Sequence, residues 1–78
     1  MVDVGDWVAF DHEGTERAGR VVAVVPKGKK PQEVVEHEKI SGTLRVRANA
    51  AARKGVSFLV ATDRGIEWPV SPRNSFHE

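Results

Sequence analysis

The chain opens with two segments in which apolar residues recur at alternate positions, separated by a polar stretch. The first segment places Val8 and Phe10 on one face of a strand and Trp7 on the other. A polar loop is predicted over 11–18, longer than a two-residue turn. The segment 20–25 then carries apolar residues on both faces, which is typical of a central strand. The pattern therefore predicts a hairpin whose second strand lies in the middle of a sheet.

Strict alternation in the second strand assigns three apolar side chains to one face. They are Val21, Ala23 and Val25. Gly19 stands at the start of this strand, and a glycine there indicates a bend or a close approach of another backbone. The P-K-G-K-K-P segment over 26–31 then predicts a loop, because it holds two prolines, one glycine and three lysines.

The middle of the chain is ambiguous between helix and strand. Gln32–Ile40 follows Pro31, which suits the first position of a helix, but its adjacent valines also suit an irregular strand. Thr43–Ala48 alternates cleanly and predicts a strand. Its arginines, Arg45 and Arg47, face outward, and its apolar residues face the core. The next segment, 49–55, is interpreted as a single helical turn or a loop.

Two further strands are expected near the end of the chain. Val56–Thr62 is rich in apolar residues, and a tight turn at 63–65 leads into Ile66–Val70. Pro69 has no N–H to donate, so the last strand is expected at a sheet edge. The segment 71–74 reads as a turn, after which Phe76 is expected to close the core. These signals together predict a mainly β domain of about five short strands with at most one short helix, folded as a small barrel or sandwich.

Several motifs resemble those of a known fold. G-D-W-V-A-F at Gly5–Phe10, followed by G-R-V-V-A-V at Gly19–Val24, resembles the first hairpin of SH3-like barrels of the KOW and Tudor-like kinds. Arg45–Ala50, Ser57–Gly65 and Ser71–Ser75 look like the second half of the hypervirulence-associated protein Tudor-like family of small bacterial domains. The resemblance implies a five-stranded SH3-like barrel. It implies no established chemistry, because the molecular function of that family is poorly defined.

Length and composition limit the possible classes of protein. The 78 residues suffice for one small domain over 1–78, and there is no cysteine to form a disulfide or a thiolate metal site. A cysteine-free domain of this size fits a reducing compartment, so we expect a cytoplasmic protein. Asp3 and Asp6 interrupt the start of the chain, so no signal peptide is expected. The longest apolar run is far shorter than the roughly 20 residues that cross a bilayer, so no membrane contact is expected.

Charge is balanced overall but unevenly distributed. There are 12 basic and 11 acidic residues. The acidic residues dominate the first 16 positions, whereas basic residues gather later in the chain. The basic candidates for contact with nucleic-acid phosphates are Lys27, Lys29, Lys30, Arg45, Arg47, Arg53 and Lys54. The near-zero net charge and the absence of an RNA-binding signature favour a solvated surface instead.

Aromatic residues suggest a second kind of partner. Trp7, Phe10 and Trp68 are candidates for an aromatic groove that binds a protein or peptide, as SH3-like barrels often do. Core packing is the competing interpretation for Phe10 and Trp68, because large aromatic residues are usually buried in small domains. Trp7 is also a candidate stacking surface for bases beside the basic residues.

Catalysis is not indicated by any arrangement of residues. His12, His37 and His77 are scattered along the chain, and no nucleophile–base pair or metal-ligand spacing accompanies them. We therefore expect a non-enzymatic binding module without a metal or cofactor. It is expected to bind nucleic acid or, alternatively, a protein, as a monomer or as a weak homodimer through the edge strand 66–70.

Overall fold

The computed structural model describes residues 2–47 and 50–75. Within these residues the strands are β1 Trp7–His12, β2 Thr15–Val25, β3 Leu44–Arg45, β4 Ser57–Thr62, β5 Gly65–Glu67 and β6 Arg73–Asn74, and helix α1 is Pro31–Glu38. The prediction of a mainly β domain with one short helix is confirmed.

The strands form one sheet in the order β3-β5-β4-β2-β1-β6. The β3–β5 pair is parallel and the remaining pairs are antiparallel. Six strands take part where the sequence predicts about five. Across the described ranges β3 does not pair with β6, so hydrogen bonds do not close the sheet into a barrel. His12 of β1 and Arg45 of β3 nevertheless border the same groove of about 130 Å³. The sheet therefore curls enough to bring these two strands near each other.

The first hairpin is tighter than the sequence predicts. His12 pairs with Thr15, so the strands run to a two-residue turn at Glu13 and Gly14. Both turn residues are left-handed, with φ of 51° and 80°. This geometry matches the right-handed twist of the flanking strands, so the strands need not splay apart. The loop predicted over 11–18 is wrong, because an E-G pair lacks the Asn or Asp that usually marks such a turn.

Strand β2 lies between β1 and β4, which confirms its predicted central position. A register shift between Val21 and Ala23 alters its faces, since Val21 pairs with Val60 whereas Ala23 pairs with Leu59. Adjacent residues of a strand point to opposite sides, so Val21 and Ala23 do too. The shared face predicted for Val21, Ala23 and Val25 is therefore wrong.

The register shift between Val21 and Ala23 is a β-bulge, and it divides the core into two clusters, one on each side of β2. The first cluster is Ala23, Val25, Val34, Leu59 and Ile66, and the second is Val8, Phe10, Val21 and Val60. Val8 and Phe10 are buried together, as the alternation in the first strand predicts.

Helix α1 resolves the ambiguous middle segment in favour of a helix. Pro31 occupies its first turn, and the Lys30 N–H donates to Glu33 Oε2 at 2.8 Å. Lys39 ends it in the left-handed conformation with φ of 54°. Val34 is buried against the first core cluster. This burial favours helix formation even though the adjacent valines lower the intrinsic helix propensity. No helix in the described residues is long and apolar enough to span a membrane.

The second half of the chain confirms one predicted strand and shortens another. Ser57–Thr62 agrees with the strand predicted over 56–62. The strand predicted over 43–48 is reduced to Leu44–Arg45, and Ala48 lies outside the described residues. Arg45 and Arg47 are exposed, as predicted.

The last predicted strand is also altered. It ends at Glu67, before Pro69, and it lies between β3 and β4, so its predicted edge position is wrong. Val70 is 83% exposed and lies outside the core. The segment 71–74, predicted as a turn, contains the edge strand β6, which pairs with β1. The predicted role of Phe76 falls outside the described residues.

Candidate functional site

Two adjoining grooves lie beside β3 and share three wall residues. The first, about 350 Å³, is lined by Lys30, Pro31, Gln32, Leu44, Val46, Arg47 and Ala50. The second, about 370 Å³, is lined by Arg45, Val46, Arg47, Ala50, Ala51, Arg53 and Trp68. We call the surface formed by these two grooves the basic face. Four of the seven cations predicted from the sequence therefore line one continuous surface.

The two grooves of the basic face are lined by cations, although carboxylates lie nearby: Glu33 accepts from the Lys30 N–H, and Glu67 borders a separate groove beside Arg45. No Asp or Glu is among the described residues that line either groove. Among the described residues, no ion pair involves Lys30, Arg45, Arg47 or Arg53. Elsewhere Arg17 is paired with carboxylates. The balanced net charge thus conceals an asymmetry, in which acidic groups neutralise other arginines and leave this face cationic.

A tight turn holds the lysine-rich loop next to this face. The Lys29 N–H donates to the Pro26 carbonyl at 3.1 Å, and Gly28 has φ of 82°, a conformation that favours glycine. The Gly28 N–H then donates to the Arg53 carbonyl at 3.1 Å. This bond places exposed Lys27, in the turn, and Lys54, next to Arg53 in the chain, at the margin of the basic face.

Lys29 does not line the basic face. It borders a separate groove of about 450 Å³ between β2 and α1, together with Glu33, His37 and Glu38. The nearby carboxylates weaken the attraction of this site for an anion. The structure therefore separates Lys29 from the four cations of the basic face, and its contact with phosphate stays a prediction.

Arg53 is a fixed, partly buried cation. Its guanidinium carbon lies 3.9 Å from the centroid of the Trp68 ring. Its Nη1 donates to the Pro69 carbonyl at 2.7 Å and its Nη2 to the Trp68 carbonyl at 2.9 Å. Burial lowers the pKa of the Arg53 guanidinium below its ordinary value, and arginine nevertheless stays charged in proteins.

The Trp68 ring, on which Arg53 lies, is itself held in place by a hydrogen bond and by core packing. Its Nε1 donates to Ser57 Oγ at 2.8 Å, and its ring packs against the first core cluster. The sequence grouped Trp68 with a protein-binding site, whereas the structure places it beside Arg45, Arg47 and Arg53. Their separation along the chain concealed this proximity.

The side chains of Arg47 and Arg45 differ in conformational freedom. Within the described residues the Arg47 side chain makes no hydrogen bond, whereas Arg45 Nε donates to the Arg64 carbonyl at 3.0 Å. Arg45 is therefore oriented along the groove by the β4–β5 turn, while Arg47 is able to adjust to a ligand.

The predicted aromatic groove does not form from the three aromatic candidates. Trp7 is 40% exposed, lies 5.7 Å from the Arg20 guanidinium carbon, and borders a groove with Glu16 and Asp63. None of the seven candidate cations lines that groove, so the structure does not bring Trp7 together with them there. Phe10 is only 2% exposed and belongs to the core.

The histidines that the structure describes lie apart. His12 borders the narrow groove near β1, and His37 borders the groove beside α1. His77 is outside the described residues. Within residues 2–47 and 50–75, no group of three or more His, Cys, Asp or Glu side chains could hold a metal ion.

Comparison with family models, with curated proteins and with solved structures gives no match for this chain. The resemblance to Tudor-like domains thus rests on the motifs quoted above, and the residues of the basic face are the best guide to function.

Proposed function

We propose that this domain is a non-enzymatic binding module that contacts nucleic acid through the basic face. One observation carries the proposal: the two adjoining grooves are lined by Lys30, Arg45, Arg47 and Arg53 and by no described carboxylate. A nucleic-acid backbone presents phosphates at regular intervals, and cations along a shared surface neutralise them and release counterions.

The supporting groups differ in how they would act. The Arg47 guanidinium makes no hydrogen bond among the described residues, so it can donate to a phosphate in the forked geometry typical of arginine. Lys30 lines the first groove, and Lys27 and Lys54 extend the positive charge at the margin. Because the net charge is only +1, long-range attraction is weak and affinity depends on these local contacts.

The proposal is tested by fluorescence anisotropy with a labelled single strand of about ten nucleotides, a length within the range that small β domains cover. Arg47→Gln removes one free cation from the face, and Arg73→Gln is the matched control. Arg73 pairs with Glu16 on the exposed surface and lines neither groove. Each variant changes the net charge by the same amount.

We expect Arg47→Gln to weaken binding roughly five-fold at about 50 mM salt and to reduce the slope of log K against log salt by about 0.7. Arg73→Gln is expected to leave the slope unchanged. Equal effects of the two variants would show that only net charge matters, and no binding at low salt would reject the proposal.

A protein partner is the second candidate, and the exposure of Trp7 favours it. The Trp7 groove, about 410 Å³, combines an aromatic ring with groups of both charges, which suits a peptide better than a polyanion. A backbone amide NMR titration with oligonucleotides separates the two functions. Shifts confined to the basic face support nucleic acid, whereas a spectrum that no oligonucleotide changes directs the search to partners of Trp7.

A further inference from the structure

We propose that the second groove of the basic face takes one unpaired nucleobase, stacked on the guanidinium of Arg53, so that the ligand is single-stranded nucleic acid. This inference rests on the proposed function and specifies its ligand. The sequence grouped Arg53 with the phosphate-binding cations, and the structure indicates a different role for it.

The guanidinium of Arg53 is planar and therefore has two faces. One face lies on the Trp68 ring, with 3.9 Å between the guanidinium carbon and the ring centroid. The bonds from Nη1 and Nη2 to the carbonyls of Pro69 and Trp68 fix its orientation. Guanidinium planes are established stacking surfaces for bases in single-stranded recognition. Since the ring and the two carbonyls hold the group in place before a ligand arrives, little conformational entropy is lost on stacking.

The walls of the second groove suit a base and its backbone. Small or apolar side chains, Val46, Ala50 and Ala51, border it beside Arg53. Arg45 and Arg47 border the same groove and supply charge for the phosphates on either side of the base. The groove thus combines a flat cationic platform with flanking cations, which is the pattern of sequence-tolerant binding to single strands.

A base of a duplex stacks on Arg53 less readily than a base of a single strand. Each base of a duplex is already stacked and paired, so it must be extruded before it can reach Arg53, and extrusion costs energy. A flexible single strand can present a base to the platform and its phosphates to the arginines together. We therefore expect a preference for single strands at equal charge.

The experiment compares three probes at low salt and at equal phosphate concentration: a deoxythymidine oligonucleotide of about ten nucleotides, the same strand with abasic sites throughout, and a duplex of equal length. We expect the oligonucleotide to bind roughly ten-fold more tightly than the abasic strand, because stacking contributes for each engaged base. We expect the oligonucleotide also to bind more tightly than the duplex.

Arg53→Lys keeps the charge and removes the planar platform, so it is expected to abolish most of the difference between base-containing and abasic strands. Arg73→Lys, at a residue that lines neither groove, is the matched control and is expected to preserve that difference.

A second measurement does not depend on how well Arg53→Lys folds. In a Trp7→Phe background, Trp68 is the remaining tryptophan. We expect the base-containing strand, and not the abasic strand, to change its emission, because a base on Arg53 alters the surroundings of the ring beneath.

Failure of the inference and failure of the proposed function give different results. Salt-sensitive binding that is equal for base-containing and abasic strands, or tighter for the duplex, overturns base stacking and keeps phosphate binding. No binding of any of the three probes overturns the proposed function and the inference with it.

Discussion

Arg17 on β2 and Glu67 on β5 form an ion pair across β4, with Arg17 Nε donating to Glu67 Oε2 at 3.1 Å. The side chains are 18% and 8% exposed. Thr62 Oγ1 also donates to the Glu67 carboxylate, and Arg17 Nη2 reaches Asp63 Oδ1 at 2.9 Å. The pair therefore ties the first hairpin to the β4–β5 hairpin.

Removal of the Glu67 charge is expected to destabilise the domain. Glu67→Gln keeps the shape but leaves the exposed Asp63 as the one charged partner of the shielded Arg17 among the described residues, so we expect a loss of about 2 kcal/mol in the free energy of unfolding. Urea denaturation followed by circular dichroism measures this loss. Glu16→Gln, which disrupts the exposed pair with Arg73, is the control and is expected to cost less than about 1 kcal/mol. Similar losses for both variants would show that burial of the pair is unimportant.

Gly19 is required by the close approach of β4, as its position at the start of the predicted strand suggested. A Cβ built at Gly19 would lie 2.2 Å from the Ala61 carbonyl oxygen, a backbone atom that cannot move without breaking the sheet. Gly19→Ala is therefore expected to destabilise the domain by about 3 kcal/mol or more, as overpacked cores do. Thermal unfolding is the measurement. Gly55→Ala, where a Cβ meets nothing within 4 Å, is expected to be neutral or slightly stabilising. Normal stability of Gly19→Ala would contradict the close approach.

The turn of the first hairpin leaves room for stabilisation. Glu13 is left-handed with φ of 51°, a conformation that costs most side chains about 1 kcal/mol and that Asn tolerates well. Glu13→Asn creates the preferred N-G pair, and we expect it to raise the free energy of unfolding by about 0.5–1 kcal/mol. Chemical denaturation checks the gain. Glu33→Asn, in a right-handed helical turn, is expected to be destabilising instead. A loss of stability in Glu13→Asn would contradict the two-residue turn.

Arg53 is expected to be sensitive to a substitution that preserves its charge. Lysine cannot lie flat on Trp68 while it donates to two carbonyls, so Arg53→Lys should cost about 1–2 kcal/mol in the free energy of unfolding. Arg47→Lys is the matched control and is expected to be neutral, because the Arg47 side chain has no hydrogen bond among the described residues. Equal stability of the two variants in urea would show that the contacts of Arg53 are not structural.

The strands that could be predicted are those whose signals are local. Alternation placed Val8 and Phe10 in the core and Trp7 on the opposite face, and the run over 56–62 indicated β4 directly. The errors arose where a neighbour decides the outcome. The bulge at Val21 and Ala23 depends on pairing with β4, and alternation within one strand carries no sign of it.

The sequence predicts which residue types form the candidate site, but it does not predict how those residues are arranged in space. The basic residues are evident in the sequence, but Lys29 lies in a separate groove lined by carboxylates and Arg53 is engaged by Trp68. The sequence gives no local sign that Glu67 is buried, because its ion-pair partner Arg17 lies 50 positions away.

The sequence by itself determined a mainly β domain with a central second strand and one possible helix, because hydrophobic periodicity and turn residues act over a few positions. Tertiary structure decided that the helix forms, that six strands pair in an open curled sheet, and that four cations share one face. Those outcomes depend on contacts between residues that are distant in the chain. Such contacts determine which charges are neutralised, and they bring four cations to two grooves whose described lining contains no carboxylate.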